Sequence, residues 1–287
     1  MLTAALELGG SHASAGLVAT SGSAPALHNH QHLAMDTRVD LPTLLDNLDR
    51  ACEGLIAPGR PWVVAIPGPF DYENAIGGRH VDGKFRALDG VDVRALLTER
   101  WQAGSMSFCN DADAFGAGVW DGYGRPHRLF ALTLGSGIGA AFIADGRPVT
   151  EGVPEDLYRE PWTDGRTLED HFGPQSLVDR FNLSTDRYNV GSFKELAALA
   201  RTDAAVRELV VDHMARFVDA LNTWWQDFDP DTVVLGGSVC HAWDVFGECI
   251  RERVAALRGP DVAVRAVTDT ESVALVGAAL LAQPRAT

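Results

Sequence analysis

Residues 3–19 read TAALELGGSHASAGLVA, in which an apolar run, a turn of two glycines and a serine, and a run of small residues follow one another. The same plan returns at residues 129–144, which read LFALTLGSGIGAAFIA. Short apolar runs bounded by glycine turns are typical of buried strands. Two copies of one strand-turn-strand unit, one opening each half of the chain, predict two related α/β domains.

The remaining elements complete both halves around these hairpins. In the first half we predict strands at 3–8, 15–19, 26–34, 62–66 and 105–109, with helices at 41–56, 91–101 and 112–120. In the second half we predict strands at 129–134, 138–144, 147–150, 232–235 and 262–266, with helices at 206–228, 243–257 and 272–282. The polar segment 151–173 predicts a functional loop, because irregular segments of this length inside compact proteins usually carry function.

The composition limits the classes of partner. The chain has 287 residues with 24 basic and 39 acidic side chains, a net charge of −15. An excess of acidic residues argues against binding to a nucleic-acid backbone or an anionic membrane. Any phosphate must therefore be held locally, by backbone amides, helix N-termini or a divalent cation.

The chain also carries no sign of export. Its first ten residues contain no basic region, and the longest mostly apolar run, residues 130–144, is too short to span a bilayer. We therefore expect a cytoplasmic protein. The four cysteines form no CxC or CxxC pair, which predicts reduced thiols and no cysteine zinc site.

Glycine-rich turns follow three of the predicted strands. A turn without Cβ atoms lets backbone N–H groups approach a polyphosphate, and a serine adds a hydroxyl donor. For any one turn, a tight hairpin that needs glycine for its own geometry remains an alternative. As a set they predict a polyphosphate site built from Gly9, Gly10 and Ser11, from Gly135, Ser136, Gly137 and Gly139, and from Gly236 and Gly237.

Five motifs in this order resemble the actin-like, hexokinase-type ATPase superfamily and, within it, the ROK family of sugar kinases and related repressors. They are ELGGS at 7–11, IPGPFD at 66–71, NDADA at 110–114, LTLGSGIG at 132–139 and VVLGG at 233–237. The resemblance covers nearly the whole chain. It implies an α/β fold of two ribonuclease-H-like domains around a cleft, residues 1–111 with 270–287 and residues 112–269. It also implies ATP as phosphoryl donor, Mg²⁺ and a homodimer.

The resemblance assigns the chemistry to the first half. Asp111, at the end of a strand, is the expected general base for phosphoryl transfer, and Asn110 and Gly68 are expected sugar contacts. Helix capping by Asn110 or Asp111 is the structural alternative. Glu7 matches the position of a superfamily aspartate that orients the metal through water, and Mg²⁺ tolerates such outer-sphere changes.

The predicted sugar loop departs from the family. Where the family has Glu-x-Gly-His, this chain has Glu155-Asp156-Leu157-Tyr158, and the stretch from there to the second matching acid, Glu169, contains no cysteine. We therefore expect no zinc. Carboxylates recognise hydroxyls well, so Glu155 and Glu169 are expected sugar ligands, with a solvated loop as the alternative. Tyr158 is expected to hold the loop by packing while its hydroxyl reaches the sugar or Glu155, or else merely to cover the cleft edge.

Taken together, these features predict an ATP- and Mg²⁺-dependent kinase for the C6 hydroxyl of a glucose-like hexose or an amino-hexose, with kanosamine as one specific candidate. The alternative is a catalytically silent sugar-binding sensor or regulator of the same fold. The expected partners are a sugar and ATP, with no nucleic acid and no membrane.

Overall fold

The computed structural model describes residues 2–22, 24–79 and 83–283. Residues 1 and 284–287 of the predicted first domain lie outside the described residues. The chain divides into two compact units, which we call the first unit (Met1–Gly122 with Glu271–Thr287) and the second unit (Tyr123–Thr270). In the described ranges, none of the helices combines the length and apolar character needed to cross a membrane.

The first unit is built on a five-stranded sheet with the order β3-β2-β1-β4-β7. Strands β1 to β3 are antiparallel, whereas β1, β4 and β7 run parallel. Its elements are β1 (Leu2–Leu8), β2 (His12–Ala19), β3 (Ala26–Ala34), α1 (Leu41–Ala51), β4 (Pro61–Ile66), β5 (Phe70–Asp71), β6 (Ile76–Gly77), α2 (Val93–Trp101), β7 (Ser105–Asn110), α3 (Asp111–Gly122) and α9 (Thr270–Leu281).

The parallel register places functional residues at one edge of this sheet. Glu7 pairs with Ala65, and Ile66 pairs with Asn110, so the carboxyl ends of β1, β4 and β7 are neighbours. Side chains and loops that follow such ends converge on one crevice in open α/β sheets. The apolar β1 residues anchor this edge, because every residue of the strand after Leu2 is buried.

Close backbone contact joins α3 to α9. A Cβ on Gly118 would lie 2.0 Å from the Val273 carbonyl oxygen, and one on Gly277 would lie 1.8 Å from that of Ala114. Only glycine permits this approach. The domain boundary implied by the family resemblance places residues 112–120 in the second domain, whereas α3 lies in the first unit.

The second unit repeats the sheet plan with the order β10-β9-β8-β11-β12. Here too the first three strands are antiparallel and the last two add in parallel, so the predicted structural repeat is present. Its elements are β8 (Arg128–Leu134), β9 (Ile138–Ala144), β10 (Arg147–Pro148), α4 (Leu168–Phe172), α5 (Pro174–Ser184), α6 (Phe193–Ala200), α7 (Ala204–Phe228), β11 (Thr232–Gly236), α8 (Trp243–Arg258) and β12 (Ala263–Ala266).

The segment predicted as an irregular loop, 151–173, contains two short helical elements. A 3₁₀ turn spans Leu157–Arg159, and α4 begins after Thr167, whose side chain and that of Asp170 form a reciprocal capping box. A capping box satisfies two helix N-terminal amides and therefore stabilises a helix too short to be seen by periodicity. Helices α5 and α6 were likewise not predicted.

Candidate active site

The first glycine turn joins β1 to β2 and is held by its own backbone. The Gly9 amide donates to the His12 carbonyl over 3.0 Å, and the Gly10 carbonyl accepts from the hydroxyl of buried Thr37 over 3.1 Å. Neither bond uses the amides of Gly10 and Ser11. The turn is therefore shaped without consuming two of the amides predicted to meet a phosphate.

A carboxylate and an imidazole lie beside this turn. Glu7 is buried, with 8% of its surface exposed, and its Oε2 lies 3.1 Å from His12 Nε2. A Cβ on Gly9 would come within 2.2 Å of His12 Cε1, so the ring occupies space that only a glycine leaves open. The hydrogen bond to Glu7 raises the pKa of His12. No sequence pattern pointed to His12, although this residue directly follows the Gly-Gly-Ser turn.

Helix α9 reaches this cluster through Glu271. Its carboxylate accepts from Ser14, lies 2.9 Å from His32 Nδ1 and lies 3.6 Å from His12 Nε2. The rings of His12 and His32 stack with centroids 5.3 Å apart. The pKa of Glu271 is lowered; burial alone would raise it, but the hydrogen bonds from Ser14 and His32 outweigh that effect.

Asn110 ends β7 and caps α3. Its Oδ1 accepts from the amides of Ala112 (2.9 Å) and Asp113 (3.1 Å), so the capping alternative raised from the sequence is realised for Asn110. Its Nδ2 donates to the hydroxyl of Tyr72 over 3.0 Å. That hydroxyl in turn lies 3.1 Å from the Ile66 carbonyl at the end of β4.

Asp111 is the first residue of α3. Its Oδ1 accepts from the Ala112 amide at 2.9 Å, and burial, with the nearby Glu7 charge, raises the pKa of Asp111 to about 7. Burial also raises the pKa of Asp113 to about 7. Two carboxyl groups in this first helical turn therefore titrate near neutrality, where a general base is most effective.

Gly68 lies two residues beyond the end of β4 and is partly exposed. The first unit thus brings together four predicted site residues, since Glu7, Gly68, Asn110 and Asp111 all lie at or just beyond the carboxyl ends of neighbouring strands.

The second glycine turn joins β8 to β9. The Gly135 amide donates to the Gly137 carbonyl over 3.0 Å, and the Ile138 amide donates to Glu169 Oε2 over 3.2 Å. A Cβ on Gly137 would lie 3.0 Å from both Glu169 carboxylate oxygens. Glu169, predicted as a sugar ligand, therefore contacts the turn predicted to bind nucleotide phosphates. Ser136 is exposed at this turn, and Gly139 pairs with Thr133 within the hairpin.

The third glycine turn packs against the end of β8. Gly237 has a φ of 89°, and a Cβ there would lie 2.3 Å from the Leu134 carbonyl oxygen. Its amide donates to Thr270 Oγ1 over 2.8 Å. Gly236 pairs with Thr133 in the sheet. The second and third predicted nucleotide turns are therefore neighbours in the second unit.

The two other sugar-loop residues do not meet. Glu155 is exposed, whereas Tyr158 is half-buried and packs against the core of the second unit, with the Arg159 guanidinium 5.3 Å from its ring centroid. Burial raises the pKa of Tyr158 to about 12. Within the described loop, Tyr158 makes no hydrogen bond to Glu155, and contact of its hydroxyl with the sugar stays a prediction.

Glu7 is the side chain that the sequence predicts to hold a metal ion, through water. In residues 2–22, 24–79 and 83–283 no group of three or more His, Cys, Asp or Glu side chains is arranged to hold a metal ion. Mg²⁺ needs less, because it keeps several waters and is held through one or two carboxylates plus substrate phosphates. Glu7, a buried carboxylate beside a glycine turn, fits that requirement.

Known proteins are similar to this chain in sequence and in fold. No protein-family model matches the chain. A glucokinase from Thermotoga maritima is 27% identical, over 87% of this chain and 86% of that protein. A ROK family glucokinase from Streptomyces griseus, solved with glucose and AMPPNP, superposes with a TM-score of 0.76 at 19% identity, over 98% of this chain and 99% of that one.

A second solved structure agrees. The ROK hexokinase from Thermus thermophilus superposes with a TM-score of 0.71 at 22% identity, over 98% of this chain and 97% of that one. The chain therefore has the fold of the ROK-family sugar kinases, and the resemblance inferred from its five motifs is confirmed.

Proposed function

We propose that this protein transfers the γ-phosphoryl group of ATP to the C6 hydroxyl of a glucose-like hexose or amino-hexose, with Asp111 as the general base. The chain is an ATP-dependent sugar kinase; the proposal names its acceptor atom, its substrate class and its base. The similarity to the Thermotoga maritima glucokinase supports a glucose-like substrate.

The observation that carries the proposal is the state of Asp111. It starts a helix at the carboxyl edge of the sheet, and its pKa is raised to about 7 mainly by burial. A base must be deprotonated to work yet basic enough to take a proton, and a pKa near the working pH meets both needs. As the sugar oxygen bonds to the γ-phosphorus, its proton passes to the Asp111 carboxylate and the bond to ADP breaks.

Glu7 is proposed to hold Mg²⁺ through water. When bound, the cation would offset the negative charge of the phosphates. His12 donates to the Glu7 carboxylate over 3.1 Å and keeps it beside the first turn. The backbone amides of the glycine turns are proposed to receive the phosphates, because the chain as a whole has only 24 basic residues against 39 acidic ones.

The sugar is proposed to contact Gly68, Asn110, Glu155, Tyr158 and Glu169. Amino-hexoses, including kanosamine, remain within the proposal because Glu7, Asp111 and Asp113 create a negative environment that favours an ammonium group. The proposal therefore includes both neutral hexoses and amino-hexoses as substrates.

An ADP-release assay across hexoses and amino-hexoses, with and without Mg²⁺, tests the proposal. We expect release with a glucose-like sugar, none with its 6-deoxy analogue, and loss of activity on chelation that Mg²⁺ restores. Sugar binding measured by calorimetry without any ADP release would identify the alternative, a catalytically silent sensor. Turnover of the 6-deoxy sugar would overturn the C6 assignment.

The expected cytoplasmic homodimer stays part of the proposal. Light scattering on the purified chain measures its mass in solution, and one copy per particle at working concentrations would contradict the dimer.

A further inference from the structure

Tyr72 occupies a connecting position in the first unit. It follows β5, and its ring lies 5.4 Å from that of Phe70, at the edge of the first unit's core. Its hydroxyl lies between the Ile66 carbonyl and the Asn110 side-chain amide, at 3.1 Å and 3.0 Å. One phenol therefore ties the end of β4, which leads to Gly68, to the end of β7.

The chemistry of the partners fixes the direction of both hydrogen bonds. A carbonyl oxygen can only accept, so the Tyr72 hydroxyl donates its proton to Ile66 and accepts from Asn110 Nδ2. Burial raises the pKa of Tyr72, so the hydroxyl keeps its proton through the working range of pH. The hydroxyl thus has one defined role toward each strand end.

Most of the hydrogen-bonding capacity of the Asn110 side chain is then used. Its Oδ1 already accepts from the amides of Ala112 and Asp113, and one of its two Nδ2 hydrogens goes to Tyr72. A side-chain amide has two donor hydrogens, so one is left for a ligand. The direction of that last hydrogen is set by the bond to Tyr72.

We propose that Tyr72 is a positioning residue for the sugar, acting through Asn110: its hydroxyl aims the remaining Asn110 N–H and keeps Asn110 and Gly68 at a constant spacing. The inference rests on the proposed function, because it takes Asn110 as a sugar ligand. It differs from a purely structural role, in which the hydroxyl stabilises the fold and leaves sugar recognition unchanged.

The first test is Tyr72→Phe, which removes the hydroxyl and keeps the ring. Loss of one well-placed hydrogen bond predicts a rise of about tenfold in the KM for the sugar, with kcat reduced less than about threefold. The matched control is Tyr188→Phe, which also removes one phenol hydrogen bond, to Asp203 at 3.2 Å, and is expected to keep the wild-type KM. A structural role would lower the thermal midpoint of Tyr72→Phe without changing the KM of the folded enzyme, and that result overturns the inference.

The second test is a double-mutant cycle with Asn110→Ser. Serine keeps an oxygen that can accept at the start of α3 and removes the Nδ2 donor. If Tyr72 acts through Asn110, Tyr72→Phe should change the KM less than about twofold in that background. Losses that multiply independently would overturn the inference. Absence of kinase activity in the wild type on every sugar would instead overturn the proposed function, so the two failures are distinguishable.

A series of mono-deoxy sugars locates the contact. In the wild type, removing the hydroxyl bound by Asn110 should raise KM most, and Tyr72→Phe should reduce that discrimination for the same sugar alone. An equal loss for every deoxy sugar would contradict positioning through one amide.

Discussion

The turns after β1 and β8 occupy equivalent places in two similar sheets, yet they are stabilised in different ways. In the first, Glu7 and His12 come from the hairpin itself, and the His12 ring lies over Gly9. In the second, the strand position of Glu7 is taken by Thr133, and the carboxylate comes from Glu169 of α4. The first carboxylate therefore belongs to a buried strand, and the second belongs to a short helix that follows a loop.

Under the proposed function, the two turns have different tasks. The first has a fixed carboxylate and, nearby, Asp111, whose pKa is raised partly by the charge of Glu7. Glu7 is suited to hold a cation, and Asp111 is suited to accept a proton. The second turn offers backbone amides and small side chains. One of these amides, that of Ile138, already donates a hydrogen bond to Glu169. The repeat therefore supplies a common frame, and side chains decide the chemistry of each copy.

The largest effect is expected for Asp111→Asn, which tests whether the base for the chemical step lies in the first unit. Asp111→Asn keeps the shape of the side chain but cannot accept a proton, so kcat should fall on the order of 10²-fold or more, with sugar affinity retained. Asp113→Asn is the matched control on the same helix, and its kcat should stay within about tenfold of wild type. Steady-state kinetics and calorimetry decide, and a wild-type kcat in Asp111→Asn would remove Asp111 from the mechanism.

The pH profile tests the same carboxylate without a change in sequence. Because the pKa of Asp111 is raised to about 7, the base is protonated below that pH, and kcat/KM should fall about tenfold per unit as pH decreases further. In Asp111→Asn this limb should be absent from the residual activity. A profile of kcat/KM that stays flat between about pH 5 and about pH 8 would show that no group with this pKa takes part.

The contribution of Asp111 to the stability of the fold should change with pH in the direction opposite to its contribution to activity. The folded protein binds the Asp111 proton more tightly than the unfolded chain, so this group favours the folded state at low pH, and the contribution is lost as pH rises from its ordinary pKa through about 7. Asp111→Asn should therefore gain thermal stability relative to wild type at about pH 8 and not at about pH 4. An equal difference in melting temperature at both pH values would contradict the buried carboxyl.

Alanine at the first glycine of each turn compares the two copies directly. In Gly9→Ala the new Cβ would lie 2.2 Å from the His12 ring, whereas at Gly135 no atom lies within 4 Å of that position. Overpacking of this kind costs about 1–3 kcal/mol in the free energy of unfolding, and Gly135→Ala should change it by less than about 0.5 kcal/mol. Urea denaturation measures both, and equal losses would mean that the His12 ring does not constrain Gly9.

The smallest effect concerns Glu169. Glu169→Ala frees the Ile138 amide and removes a negative charge from the second turn, so Mg-ADP should bind about threefold to tenfold more tightly without sugar. Glu155→Ala, an exposed acid of the same segment, should leave this affinity unchanged. Calorimetry without sugar provides the measurement, and weaker binding in Glu169→Ala would show that the carboxylate does not compete with the phosphates.

Local patterns were sufficient for most of the fold. Apolar runs and glycine turns predicted β1, β4, β8 and β9 to within a residue or two, and the three- and four-residue spacing of apolar side chains predicted α7. The same patterns put Asp111 at a strand end, which is where side chains meet in an α/β sheet. They failed for α4 to α6, because short helices depend on caps and tertiary packing more than on periodicity.

Contacts between distant residues were decided by packing alone. Glu271 meets Ser14 because the backbones of α3 and α9 approach closely at Gly118 and Gly277, and nothing near residue 271 encodes that partner. Tyr72 reaches Asn110 only because parallel pairing sets the ends of β4 and β7 side by side. Strand and turn propensities act over a few residues and are legible along the chain, whereas the hydrogen bonds of the site join residues up to 257 positions apart and exist only after the sheet has formed.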